Sequence, residues 1–388
     1  MRIALVHRDL HHVTRGGICT LYRALADHLA AAGCRITLIT QTSPHPIQPT
    51  RRIEVITVPR TDDLPVHRTA VARVLDALAP DVAECSTWEA ELLTYASRPA
   101  AERAPVVVRG DLSAATMGAA ELAADEAALC RAADAMLAVS RFAATDLAAA
   151  YRIPAPPVLP NGVDRRRFHP AQPHLPSSGE HLRLGTDGQL LASQPLPRLL
   201  ATDAAWASYF TADRKPGAPV RLVWVGKLTR MKGYDRLARF IPALRGRAQL
   251  LLVLGHGQIH YPVEPGAHDH VLTVRDLDEF DLPAVYRAAD YLLSTSRWEG
   301  YGLAIAEALA CGTPALLPAD LAVADELLNP NVTGATWQAD TDLLTLLDTR
   351  PRLTGALPAT YDWTANARAT LALYQDLHAR AARTQERP

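Results

Sequence analysis

The feature that most restricts what this chain can become is an alternation that runs almost from end to end. Short apolar runs at 3–6, 35–40, 53–58, 82–85, 106–109 and 135–139 read as strands. Between them lie stretches with helical character at 18–32, 69–78, 89–96, 114–132 and 141–151. The pattern resumes further on, with strands at 222–225, 250–254, 271–274, 291–295 and 315–317, and helices at 234–244, 282–289 and 303–310. Such alternation specifies an α/β chain with parallel sheets covered by helices on both faces. Ligands of these sheets bind beyond the carboxyl ends of the strands, so the loops at 8–17, 84–89 and 109–113 are the ones to watch.

With 388 residues there is chain enough for two domains, each with its own core. A net charge of −1 provides no overall field toward nucleic acid or a membrane surface. The five cysteines at 19, 34, 85, 130 and 311 lack metal-type or disulfide-framework spacing, which fits a reducing compartment. The opening Met1-Arg-Ile-Ala-Leu-Val-His-Arg turns polar too soon for a signal peptide. No window approaches the ~18 apolar residues of a membrane span. A cytoplasmic location is the expectation, and Asn331-Val-Thr333 reads as a chance glycosylation sequon.

The stretch 290–318 carries the most chemistry. A brief apolar run leads into the Gly-punctuated loop Trp298-Glu-Gly-Tyr-Gly, then an apolar helix ended by Gly312 and Pro314. Glu299 stands in the loop at the helix start, where a carboxylate complements the helix dipole or serves a ligand. Glu307 is flanked by Leu303, Ala304, Ile305, Ala306, Ala308 and Leu309, so its carboxylate risks burial and needs a partner. The hydroxyl groups of a bound ribose would be one.

The run Glu299-Gly-Tyr-Gly-Leu-Ala-Ile-Ala-Glu307-Ala-Leu-Ala-Cys-Gly-Thr-Pro resembles the two-glutamate signature of retaining GT-B glycosyltransferases, family 4 in particular. The resemblance implies two Rossmann-like domains with parallel sheets facing a central cleft, and a C-terminal helix that crosses back to the N-terminal domain. It further implies a metal-independent hexosyltransferase that takes a nucleotide diphosphate sugar as co-substrate and needs no other cofactor. The expected division is an acceptor-binding domain over 1–165, an excursion over 166–219, a nucleotide-sugar-binding domain over 220–362 and the crossover helix over 363–388. Val158-Leu-Pro-Asn-Gly-Val-Asp164 is similar to the segment that leads out of the family's first domain.

In the first half, Gly16 and Gly17 ahead of a helix allow backbone amides close to an anion or a sugar, and the family carries a Gly-Gly loop here, near the donor. Counting from Pro105, Asp111 stands where the family usually has a histidine that touches the transferred sugar. It takes over that contact, faces the acceptor, or simply caps a helix from Leu112. Glu84, Glu89, Glu91 and Asp111, with Trp88 among them, suggest that a cationic acceptor docks here, such as an aminocyclitol. Glu84, Trp88 and Asp111 are the acceptor-binding candidates. With a composition rich in Ala, Arg and Pro, they lead to the expectation of antibiotic or other secondary-metabolite biosynthesis, aminoglycoside assembly in particular.

In the second half, Gly226-Lys227-Leu-Thr-Arg230-Met-Lys232-Gly233 sets three cations before a helix start, an unfavourable placement unless an anion is seated there. The family's Gly-Arg-Leu…Lys-Gly segment grips the donor diphosphate. Lys232 matches its Lys, while Lys227 replaces the usual Arg, leaving a point charge in place of a bidentate fork. By the same resemblance the backbone of Tyr301, Gly302 and Leu303 approaches the phosphates, Glu307 holds the ribose, and Gly257 lies in a Gly-x-Gly turn beside the base. Lys227, Lys232, Glu299 and Asp111 are the catalytic candidates. The triplets Asp276-Leu-Asp278 and Asp340-Thr-Asp342 sit near helix starts, where Asp is a common cap, so no metal is assigned.

A glycosyltransferase is thus the leading reading, with a sugar phosphorylase or epimerase on the same fold, or a non-catalytic nucleotide-sugar-binding subunit, as alternatives. The partners expected are the small-molecule donor and acceptor, with no nucleic acid and no membrane, and a homodimer stays open.

Overall fold

A computed structural model describes the chain except residues 11–15, 44–46, 172–181, 185–189, 193–195, 203, 211–216, 255–267, 276, 278–280 and 386–388. The chain forms two compact units, residues 1–162 with 360–388, and residues 163–359.

The first unit runs β1 (Arg2–Val6), α1 (Gly17–Ala31), β2 (Arg35–Gln41), β3 (Ile53–Val58), α2 (Leu64–Leu78), β4 (Val82–Ser86), α3 (Leu93–Ala96), β5 (Val106–Gly110), α4 (Ala114–Met117), α5 (Ala123–Ala132), β6 (Ala135–Ala138) and α6 (Arg141–Tyr151). Its six strands are all parallel, in the order β3-β2-β1-β4-β5-β6. The strands are apolar because both faces are covered. Ile3, Leu5, Ile36 and Leu38 pack with α1 on one side, and Ala4, Val6, Ala83 and Val108 pack with α2 on the other.

The second unit opens with a hairpin, β7 (Leu182–Leu184) and β8 (Leu190–Ala192), and two short helices, α7 (Leu196–Thr202) and α8 (Ala204–Phe210). It continues with β9 (Val220–Gly226), α9 (Tyr234–Phe240), β10 (Ala248–Leu254), β11 (Val271–Arg275), α10 (Leu282–Ala288), β12 (Tyr291–Leu293), α11 (Leu303–Ala310), β13 (Ala315–Pro318), α12 (Ala324–Leu327), β14 (Gly334–Trp337) and α13 (Asp340–Thr349). The sheet order β11-β10-β9-β12-β13-β14 repeats that of the first unit, again wholly parallel. The last helix, α14 (Trp363–Gln385), belongs to the first unit and lies along α1.

Several helices are shorter than their composition suggests. The run expected over 114–132 is broken at Gly118, whose φ of 79° ends α4. The helix expected over 89–96 is interrupted by Glu89 and Ala90, both left-handed at φ 61° and 48°. The helix expected over 234–244 tightens into a 3-10 turn at Ile241–Leu244, where Pro242 supplies no amide. By contrast α2 starts before the expected 69, because Asp63 accepts the Val66 amide at 3.0 Å and Pro65 suits a first turn.

The helix expected at 197–210 is two helices. The Leu196 amide at the start of α7 donates to Asp281, just ahead of α10, at 2.7 Å, while α8 packs against β9. The Tyr209 hydroxyl donates to the Leu222 carbonyl at 3.0 Å, and Arg221 donates to the Ser208 carbonyl at 3.1 Å. Both contacts lie near the amino end of β9. Among the described residues no helix is long and apolar enough to cross a membrane.

Candidate active site

In a doubly wound sheet the strand order reverses at one point, and the loops that leave the two strands there diverge to form a crevice. In the second unit that point is between β9 and β12. Gly226 ends β9 and passes into Lys227, and β12 passes into Ser294-Thr-Ser-Arg-Trp-Glu299. The two glutamate-lysine segments singled out by sequence therefore leave adjacent strands.

They meet directly. Lys232 Nζ lies 2.6 and 2.8 Å from the two carboxylate oxygens of Glu299. The Ser296 hydroxyl donates to the same carboxylate at 2.7 Å. Behind the pair, the Trp224 indole N–H donates to Thr295 Oγ1 at 3.0 Å, and the Thr295 hydroxyl donates to the Lys232 carbonyl at 2.9 Å. Gly233 closes the turn at φ +62°, and a Cβ there would fall 1.8 Å from the Thr295 carbonyl oxygen. Only glycine permits that approach. Beside them lies a small pocket, about the size of one water molecule, lined by Trp224, Val225, Ser294, Ser296, Glu299 and Ala304. Lys227 is exposed at the end of β9, with Arg230 also exposed and Arg297 held by Asp235 at 2.5 and 2.6 Å.

Tyr301 is buried, Gly302 takes φ +86° as the residue before α11, and Leu303 opens that helix half-buried. Glu307 is half-buried, and the Tyr286 hydroxyl donates to one of its oxygens at 2.9 Å. Burial, and then the Glu307 charge, push the Tyr286 phenol well above its ordinary range. Glu307 thus has a protein partner in addition to whatever a ligand would offer. Gly257 and the pair Asp276 and Asp278 lie outside the described residues. Asp342 acts as a helix cap, accepting the amides of Gln338 and Ala339 at 3.1 and 2.8 Å.

The switch point of the first unit lies between β1 and β4. Gly16 is extended and Gly17 is the first residue of α1. Trp88 follows β4, half-buried in a 3-10 turn. Asp111 follows β5 half-buried, and the helix beyond is capped by Ser113, which accepts the Thr116 amide at 3.2 Å. The cap reading of Asp111 therefore falls to Ser113.

Glu84 does not stand where the sequence places it. It is not at a strand end but inside β4, with no exposed surface. Arg109 Nε donates to it at 2.7 Å and the Tyr374 hydroxyl of α14 at 2.6 Å. A carboxylate enclosed in this way braces the core and does not face an acceptor. Glu91 is likewise buried. It accepts the Arg8 amide at 2.6 Å and lies 3.5 Å from His7 and 3.1 Å from His67. Burial would raise its carboxyl, but the hydrogen bonds from His67 and His7 bring it down to about 2. Burial would lower His7, but its contacts with Cys19 and Glu91 carry it up to about 10. Glu89 is paired with Arg8 at 3.4 Å. Its left-handed backbone is held by Arg68, which donates twice to its carbonyl, at 3.1 and 2.6 Å.

Thr295, Ser296, Trp224 and Tyr286 were missed by sequence reasoning. A faint signal existed for two of them, in the polar Ser-Thr-Ser that ends an otherwise apolar strand.

The family model described as Glycosyltransferase Family 4 matches residues 15–167, and that described as Glycosyl transferases group 1 matches residues 219–346. A D-inositol 3-phosphate glycosyltransferase of Salinispora tropica is 32% identical over 197 residues, covering 46% of this chain and 35% of the relative. Across the curated relatives, the matched stretches cover 24% to 37% of their length. The sucrose-phosphate synthase structure from Thermosynechococcus elongatus superposes with a TM-score of 0.74 at 20% identity, covering 98% of this chain and 99% of that one. The catalytic domain of starch synthase IV from Arabidopsis thaliana gives 0.66 at 13% identity, covering 98% and 99%. At those identities the likeness is one of fold.

Proposed function

Because the chain belongs to the glycosyltransferases built from a family 4 module and a group 1 module on the GT-B fold, we propose that it transfers a sugar from a nucleoside diphosphate donor to a hydroxyl of a small acceptor, with retention at the anomeric carbon and without a metal ion. The observation that carries this reading is the Lys232–Glu299 pair at the switch point of the second unit.

The leaving diphosphate gains charge as the bond from the anomeric carbon to its terminal oxygen breaks. Lys232, and less strongly the exposed Lys227, stabilise that charge. Glu299 accepts hydrogen bonds from the sugar and offsets positive charge at the anomeric carbon. Glu307 takes the ribose hydroxyls with the oxygen lone pairs that Tyr286 leaves over. The start of α11, at Tyr301, Gly302 and Leu303, supplies backbone amides to the phosphates. Retention follows if the acceptor attacks the face the leaving group departs from, its proton passing to the departing phosphate oxygen, so that no separate base is required.

Trp88 and Asp111 are the acceptor contacts we favour in the first unit. The relative's name points to a hydroxylated ring as one class of acceptor. Glu84 and Glu91 are neutralised in the core and Glu89 faces Arg8, which leaves Asp111 as the carboxylate for a cationic acceptor.

The test is calorimetric binding of uridine, thymidine and guanosine diphosphates and their sugars. Transfer assays in the presence of a chelator, with the product anomer read by NMR, complete it. Inversion, a metal requirement, or a donor that is free sugar phosphate would each replace this reading.

A further inference from the structure

Lys232 and Glu299 neutralise each other. Both carboxylate oxygens lie within 2.8 Å of the ammonium, and the Ser296 hydroxyl holds the carboxylate in that position at 2.7 Å. The side chains are only 18% and 11% exposed, so water screens the pair weakly. A diphosphate that comes to Lys232 therefore meets an anion already in contact with its cation.

We propose that Glu299 makes this site discriminate between the loaded nucleotide sugar and the spent nucleoside diphosphate, and thereby expels the product. The inference rests on the assignment of the donor diphosphate to Lys232. A nucleotide sugar brings hydroxyl donors along with its phosphates. Those donors satisfy Glu299 in place of the ammonium, and Lys232 turns to the phosphates. After transfer the hydroxyls leave with the acceptor, while the diphosphate stays. Glu299 then has Lys232 as its nearest donor beyond Ser296, and carboxylate and phosphate compete for one ammonium at close range. The bare diphosphate binds more weakly for that reason, although it carries more charge than the donor did.

Glu299→Gln removes the anion while keeping the shape and a carbonyl that accepts from Ser296 or a sugar hydroxyl. Calorimetry on the full chain with uridine diphosphate, guanosine diphosphate, UDP-glucose and GDP-mannose reads the outcome. For the base that wild type accepts, Glu299→Gln should bind the bare diphosphate about tenfold more tightly and the nucleotide sugar no more tightly than wild type. Product inhibition should strengthen in step. An equal gain for both ligands, or no gain for the diphosphate, overturns the proposal. A thermal melt close to wild type checks that the variant is folded. Failure of the underlying assignment has its own signature: wild type takes up none of the four probes, or Lys232→Ala binds them as well as wild type does.

Discussion

The Thr295 hydroxyl donates a 2.9 Å hydrogen bond to the backbone carbonyl of Lys232, while its oxygen accepts the indole N–H of Trp224 at 3.0 Å. Thr295 and Trp224 are buried, so neither group has water to fall back on. The chain of bonds ties the lysine segment after β9 to the glutamate segment after β12, and so fixes where the ammonium sits. Thr295→Val leaves the Lys232 carbonyl and the Trp224 indole without this partner, which costs ~1–3 kcal/mol of stability. The expected result is a lowered kcat/KM for donor with acceptor KM unchanged, and rescue by Thr295→Ser.

Lys232→Ala removes the cation nearest the developing charge, and turnover should fall by about two orders of magnitude or more. Lys227→Ala should cost less, because that side chain is exposed and water screens it. Near-normal steady-state turnover for Lys232→Ala would contradict the role given to it.

Glu84→Gln and Asp111→Asn separate the core from the site. The first leaves the buried Arg109 guanidinium without its counter-ion and should lower stability by ~3–5 kcal/mol. The second should raise acceptor KM and leave the melting temperature close to wild type. Denaturant unfolding read beside acceptor kinetics decides both.

Glu126 adds a pH dependence to the first unit. Its carboxylate accepts the Ala114 amide at 3.2 Å and the Tyr151 hydroxyl, with no exposed surface. Burial, opposed by those hydrogen bonds, pushes its carboxyl from 4.5 up to about 7. The folded state therefore holds this proton more tightly than the unfolded chain does. The contribution is fully present below pH 4.5 and is lost as pH rises to about 7, by ~3 kcal/mol. Glu91 and His7 act in other windows. Glu91 contributes above 4.5 and is lost as pH falls toward about 2, and His7 contributes below 6.5 and is lost toward about 10. Melting curves from pH 4.5 to 7 should show the Glu126 loss, and Glu126→Gln should flatten it.

Much of this protein was legible before any tertiary contact was known. β3 is an edge strand with Glu54 and Thr57 exposed, but its β-branched residues suit a pleated strand, so it shows in the sequence with the bounds it has in the fold. The lysines and glutamates of the second unit stood out because charge beside a helix start, or inside an apolar helix, is costly unless something compensates it. Helix ends were less legible, since Ala-rich segments tolerate a break wherever one left-handed residue, such as Gly118 or Ala90, suits the packing.

The sequence alone therefore determined the alternation, the parallel sheets and the residue types able to hold a diphosphate, because period and desolvation act on each segment separately. Tertiary structure decided which charges meet. Glu84 and Glu299 look alike in a string of letters, yet one lies inside β4 against Arg109 and the other beside a small pocket against Lys232. The physical reason is that strand order, not strand sequence, fixes which loop ends become neighbours, and the neighbour sets what a carboxylate does.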